Sequence, residues 1–191
     1  MPAPTVAGVC GSLRDDSNTR TALRVALDAA ATAGGATTLL DLRDYNLPVY
    51  DGDAPEAGDA TAFRETVREA DAVLLATPVY HATLASPLKA ALDYCRREDL
   101  DGTTVGLLCT TGGPYYGPAL AHLRAVSQIL NAWVLPHQVS VPDANTTITD
   151  DRIRDQAIQD RLERMGEAAV AYATIDDHPQ TVAETAVLAG E

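Results

Sequence analysis

Lysine is almost absent from this chain: Lys89 stands alone beside 13 arginines, and 27 acidic side chains leave a formal net charge of −13. Such a surface repels nucleic acid and anionic membranes, so neither is an expected partner. Acidic chains poor in lysine suit a solvent full of salt, where charges are screened over short distances, and a halophilic source is the expectation. Cysteine is also sparse. Cys10, Cys95 and Cys109 are an odd number without metal-ligand spacing. They read as buried, inert thiols, and no metal site is expected. No apolar run approaches membrane-spanning length, and the N-terminal residues lack a charged, then apolar, signal pattern. The expected location is the cytoplasm. With 191 residues and no internal repeat, one folded domain over 1–175 is expected, followed by a mobile tail over 176–191.

What is present is an alternation of short apolar runs and helical stripes. The run 5–10 stops at Gly11, and Leu23, Ala26, Leu27 and Ala30 then recur at helical spacing. Gly34-Gly35 closes that helix and 36–40 reads as a second strand. Residues 41–55 form a surface loop, in which Tyr45, Leu47 and Tyr50 either connect elements or lean over a ligand. Asp59 can cap a helix with Ala60, Phe63, Val67 and Ala70 on one face. The continuous apolar run 72–77 is a buried parallel strand ending at Pro78. Ser86-Pro87 opens a helix striped by Leu88, Ala91, Leu92 and Cys95, and 96–102 is a polar turn. Residues 104–110 are a fourth strand. Pro118 opens a helix using Ala119, Leu123, Val126 and Leu130, and 133–141 is a fifth strand, edge or bent at Pro136. After a loop over 143–149, the last helix begins near Asp150 and uses Ile153, Ala157, Ile158, Leu162 and Met165.

Five strands alternating with helices imply a parallel sheet covered on both faces. In such sheets ligands sit beyond the carboxyl ends of the strands. Three loops rich in Gly, Ser and Thr follow strands one, three and four, and so share that edge. The first, Gly11-Ser12-Leu13-Arg14-Asp15-Asp16-Ser17-Asn18-Thr19, leads into a helix N-terminus that favours an anion. Ser12, Ser17 and Thr19 supply hydroxyls and Arg14 a bidentate charge, while Gly11 lets the backbone leave the strand sharply. The alternative is that Ser17 or Asn18 is only an N-cap and Arg14 a solvated surface residue. The second loop offers Pro78, Val79, Tyr80 and His81 as a flat wall. The third offers Thr111, Gly112 and Gly113, where missing side chains let a planar ring approach the backbone. A G-x-x-x-x-G-K-[ST] motif is lacking, and Gly8-Val9-Cys10-Gly11 lacks the dinucleotide glycine spacing. A ribose-binding acid is missing too, Asp41 reading as a strand-end acid. Phosphate at one end and a slot for a flat heterocycle at the other describe FMN.

Together, Gly11-Ser12-Leu13-Arg14-x-x-Ser17-x-Thr19, Thr77-Pro78-Val79-Tyr80-His81, Pro87-Leu88-Lys89-x-Ala91-Leu92-Asp93 and Thr111-Gly112-Gly113 resemble the NADPH-dependent FMN reductase family over roughly residues 4–141. The Thr-Pro-Val-Tyr and Thr-Gly-Gly segments are most similar to the branch with the alkanesulfonate-associated reductases. The resemblance implies a three-layer, flavodoxin-like α/β fold, with five parallel strands in the order 2-1-3-4-5 and helices on both faces. It implies that Ser12, Arg14, Ser17, Asn18 and Thr19 bind the FMN phosphate. Pro78, Val79, Tyr80 and His81 would contact the isoalloxazine, and Thr111, Gly112 and Gly113 its pyrimidine edge. NADPH or NADH would be the reductant, and a flavin, quinone or similar small molecule the acceptor. A homodimer or homotetramer is implied as well. Many members carry Glu-Tyr-Asn where this chain has Val79-Tyr80-His81. The branch's tyrosine insertion in the fourth helix, linked to release of reduced flavin, is missing from 119–131, so firmly bound flavin is expected.

The flavin carries the redox chemistry, and no catalytic triad is needed. His81 reads either as a proton source and ring contact or as a rim residue. Lys89 reads as a fold or subunit contact, and His122, His137 and His178 as structural or exposed. Two other classes compete: a flavodoxin-like FMN carrier serving protein partners, and a nucleotide-binding regulatory module. Carriers usually sandwich the ring between aromatics, and 111–113 contains none.

Overall fold

Alternation of apolar side chains decides the architecture. In β1 (Thr5–Cys10) Val6 and Cys10 point into one buried cluster while Ala7 and Val9 point into another, the period of two that a strand buried on both faces requires. The computed structural model describes residues 2–173; the tail over 176–191 and His178 lie outside the described residues. After β1 come α1 (Asn18–Thr32), β2 (Ala36–Asp41), α2 (Ala60–Arg68), β3 (Ala72–Tyr80), β4 (Thr83–Leu84), α3 (Ser86–Tyr94), α4 (Arg97–Leu100) and β5 (Thr104–Thr110). Then follow α5 (Ala119–Ile129), β6 (Trp133–Val141), α6 (Ala144–Thr147), β7 (Ile148–Thr149), β8 (Arg152–Ile153) and α7 (Gln156–Tyr172).

The long strands lie in the order β2-β1-β3-β5-β6, all parallel, which is 2-1-3-4-5 when those five alone are counted. One face is covered by α1 and α7, the other by α2, α3, α4 and α5. Where α7 crosses α1, Gly166 has no room for a side chain: a Cβ there would lie 1.9 Å from the Ala26 carbonyl oxygen. On β6, the register slips beside Pro136, as its missing N–H predicts for an edge strand. No described helix is long and apolar enough to cross a membrane.

Several local expectations are corrected. The third strand does not stop at Pro78. It runs to Tyr80 and folds back through β4, because the loop after it is a tight hairpin rather than an open turn. The region 143–149 is not plain loop, since α6 and β7 lie there, and Ile153 belongs to β8, the strand that pairs with β7. The last helix therefore starts at Gln156, where the Asp155 carboxylate accepts from the N–H groups of Ala157 and Ile158 at 2.9 and 3.2 Å. The polar turn 96–102 contains α4, whose Asp99 is buried. Asp59 does not cap α2 with its side chain; its carboxylate accepts from Asn46 N at 2.7 Å. Tyr45 packs edge-on to Phe63 and Tyr50 edge-on to Tyr94, so both belong to packing.

Candidate active site

The three loops do meet at the carboxyl edge. Thr19 Oγ1 lies 2.6 Å from Thr110 Oγ1, tying the first loop's helix to the end of β5. Asn18 Nδ2 donates to Asn145 Oδ1 at 2.9 Å. Asp143 N and Ala144 N donate to the carbonyls of Gly113 and Thr111 at 3.0 and 2.8 Å. The hairpin after β3 reaches the third loop at Gly117, where a Cβ would come within 3.0 Å of Ala82 Cβ. Thr83 Oγ1 also lies 2.8 Å from His122 Nδ1 on α5.

In the first loop, Gly11 has no unusual φ; it is glycine for space. A Cβ would sit 2.7 Å from Leu88 Cβ and 3.0 Å from the Ala76 carbonyl oxygen, so α3 packs directly on the strand exit. Ser12 is buried and its oxygen accepts from Arg14 N at 3.4 Å. Ser17 is the N-cap of α1, accepting from Arg20 N at 3.1 Å, and its hydroxyl also lies within hydrogen-bond reach of the Cys10 thiol. Arg14 is exposed, and its guanidinium has no ion pair among the described residues. Thr19 is buried and engaged with Thr110, so it faces the sheet rather than the open loop.

In the second loop, Thr77 accepts from Ala85 N at 2.9 Å and donates to the Pro78 carbonyl at 2.9 Å, which pins both ends of the hairpin. Pro78 and Val79 are half-buried, Tyr80 and His81 exposed. His81 and Ala82 have φ of 49° and 66°, the pattern of a two-residue type I′ hairpin, which ordinarily selects Asn-Gly. In the third, the Thr111 hydroxyl closes on the Gly113 carbonyl. A Cβ on Gly112 or Gly113 would meet nothing within 4 Å, and neither has a positive φ. Nothing inside the chain demands glycine there. Tyr80, Tyr115 and Tyr116 are exposed around this opening.

Two residues of this region are invisible to motif reading. Arg20 is buried and bonds to the carbonyls of Arg14 and Asp15 and to Asp41. Its signal is spacing: Arg20, Leu23 and Leu27 share one helical stripe, and a charge in an apolar stripe needs a partner. Asp41 is a strand-end acid, as expected, but a buried one. Burial alone would raise its carboxyl; the hydrogen bonds and charge of Arg43, with the charge of Arg20, hold it below the ordinary value. Burial pushes the Cys10 thiol up, and takes Cys95 and Cys109 up to about 12, so all three stay protonated and inert.

Residues 4–146 match the family model of the NADPH-dependent FMN reductases. The chain belongs to that family. It is 31% identical over 179 residues to an NAD(P)H-dependent FMN reductase of Pseudomonas aeruginosa, covering 84% of this chain and 92% of that one. It is 32% identical to a 2-hydroxy-1,4-benzoquinone reductase of a Burkholderia species, over 78% of this chain and 87% of the relative. A flavoenzyme NAD(P)H:(acceptor) oxidoreductase of Paracoccus denitrificans has the same fold, with a TM-score of 0.75 at 22% identity, covering 90% and 97% of the two chains. This member of the FMN reductase family is therefore an enzyme, an NAD(P)H-dependent flavin oxidoreductase with FMN as its cofactor. The carrier and regulatory readings fall away.

Proposed function

We propose that this reductase holds FMN as a resident cofactor across the three loops and reduces small quinone-type acceptors. The observation that carries the placement is the bare backbone at Gly112 and Gly113, open where no part of the chain needs it open. A planar ring that approaches closer than a Cβ would allow accounts for glycine at both positions.

Arg14, with a guanidinium unpaired within the described chain, would meet the phosphate in a charge-assisted fork. Ser12, Ser17 and Asn18 would add donors around it, and the first turn of α1 its unpaired N–H groups and dipole. Thr19 would act from behind, through Thr110. Pro78, Val79 and Tyr80 would line one side of the ring and Thr111, Gly112 and Gly113 its pyrimidine edge. When bound, FMN supplies the redox chemistry, accepting hydride from NADPH or NADH and delivering electrons to the acceptor. The exposed rings of Tyr80, Tyr115 and Tyr116 offer flat apolar surface to a planar acceptor. His81 would be a rim residue, a reading supported by its position at the hairpin tip, exposed to solvent.

The enzyme is further read as cytoplasmic, as a homodimer or homotetramer, and as adapted to salt through its net charge of −13. The first experiment is an absorbance spectrum of the purified protein in molar KCl, followed by anaerobic NADPH and then 1,4-benzoquinone. Flavin bands that bleach with NADPH and return with the quinone are expected. A colourless protein that binds no added FMN and leaves NADPH untouched overturns the reading. A colourless protein that turns over added FMN makes flavin a substrate and overturns the resident placement.

A further inference from the structure

Arg20 opens onto the first loop from beneath, and forming α1 requires neither its charge nor its burial. Its side chain is 9% exposed, and a charge so far from water persists only where it is fully partnered. Nη1 lies 3.1 Å from Asp41 Oδ2 and 3.3 Å from the Arg14 carbonyl oxygen. Nη2 lies 3.2 Å from that same carbonyl and also donates to the carbonyl of Asp15. Asp41 is itself fixed by Arg43, whose Nη2 and Nε approach its carboxylate at 2.8 and 3.1 Å. Arg43 Nη1 then reaches the exposed Asp15 carboxylate at 3.0 Å, which offsets part of the repulsion that acid would exert on an anion at the loop.

A trans peptide is planar, with its C=O and N–H on opposite sides. Arg20 holds the carbonyls of residues 14 and 15, so the N–H groups of Asp15 and Asp16 are turned away from it. Neither N–H has a partner among the described residues. We propose that Arg20, seated on Asp41, is the positioning residue of the anion loop, presetting the Asp15 and Asp16 amides toward the FMN phosphate. This rests on the reading that the phosphate docks at residues 11–19.

The test uses full-length protein freed of flavin. FMN and riboflavin, which lacks the phosphate, are titrated by fluorescence quenching into wild type, Arg20→Lys, Arg20→Gln and Asp41→Asn, with folding checked by circular dichroism. Both Arg20 variants should weaken FMN about tenfold or more and riboflavin less than about twofold. Lysine keeps the charge but cannot bridge two carbonyls and a carboxylate with a planar fork. An Arg20→Lys protein with the wild-type preference for FMN over riboflavin therefore overturns the proposal, as does an equal loss of both ligands. If the Arg20 variants do not fold, Asp41→Asn decides it: a preference reduced about threefold supports the role, and an unchanged preference overturns it. Wild type binding both flavins equally overturns the phosphate placement itself, a result that no Arg20 variant could produce.

Discussion

Arg20 and Arg64 each bury a guanidinium against an aspartate, one under the anion loop and one between α2 and α4, and their partners differ in kind. Arg64 meets Asp99 through Nε at 2.7 Å and Nη2 at 3.3 Å, and Glu56 at 3.2 Å. Arg68 and the Arg96 N–H complete Asp99 at 3.0 and 2.8 Å. Every hydrogen bond of the Arg64 guanidinium goes to a carboxylate, so the cluster ties α2 and α4 to each other and to Glu56 of the preceding loop, side chain to side chain. Arg20 gives one bond to a carboxylate and the rest to loop carbonyls, and so fixes the direction of a backbone. Partner type, rather than burial, separates an arginine that holds the fold from one that sets a site.

Breaking the Arg64 cluster should have the largest effect. Asp99→Ala strands a buried guanidinium and should cost about 3–5 kcal/mol in urea unfolding, while the folded fraction keeps its preference for FMN over riboflavin. A loss under about 1 kcal/mol would show that Glu56 and Glu98 suffice as partners. The same clusters set an acid limit. Burial works to raise the Asp99 carboxyl, but the Arg64 hydrogen bond, the Arg96 N–H and Arg68 outweigh it and hold the group below its ordinary value, as Arg43 does for Asp41. A depressed folded value means that the unfolded chain binds the proton first. The stability these groups give is complete above about pH 4 and falls as pH drops through their folded values. Wild type should lose stability below about pH 4 in acid titrations, and Asp99→Asn should flatten that dependence. An unchanged acid profile in the variant would remove Asp99 from the account.

Two glycines sharpen the comparison between a fold constraint and a site constraint. Gly11→Ala drives a Cβ into Leu88 and the Ala76 carbonyl, and should destabilise by about 1–3 kcal/mol. In Gly112→Val the added Cβ meets no protein atom within 4 Å, and the change should leave stability within about 0.5 kcal/mol while weakening FMN about tenfold. Full FMN affinity in Gly112→Val would place the ring elsewhere.

That contrast also measures what the sequence makes legible. Period two along β1 and β3 and helical stripes such as Leu23-Ala26-Leu27-Ala30 identify the layers, because burial on both faces leaves the chain no other pattern. Arg14, Gly112 and Gly113 are legible as loop residues on the shared carboxyl edge because loop chemistry is local, whereas the reason for Gly11, its contact with Leu88, is not. The His81-Ala82 hairpin is not, since its type I′ turn lacks the Asn-Gly that marks one. Nor is the segment from Asp143 to Asn145, whose contacts with Asn18, Thr111 and Gly113 join residues far apart in the chain. Arg20 is half legible: its stripe position requires a partner, but only the fold shows that the partners are loop carbonyls.

Salt separates the buried pairs from the surface by a smaller effect. Arg20–Asp41 and Arg64–Asp99 are shielded from solvent ions, whereas exposed carboxylates such as Asp15, Asp150 and Glu98 lie in the −13 field. Added KCl should therefore relieve surface repulsion without touching either buried pair. Tm should rise from low to molar KCl by about 2–4 °C for each kcal/mol relieved in a chain of this size. Asp99→Asn should show the same slope from a lower start, because the charge it removes is buried. A flat Tm in wild type would detach the acidic composition from salt adaptation. A steeper slope in Asp99→Asn would mean that the Arg64 cluster is reached by solvent ions.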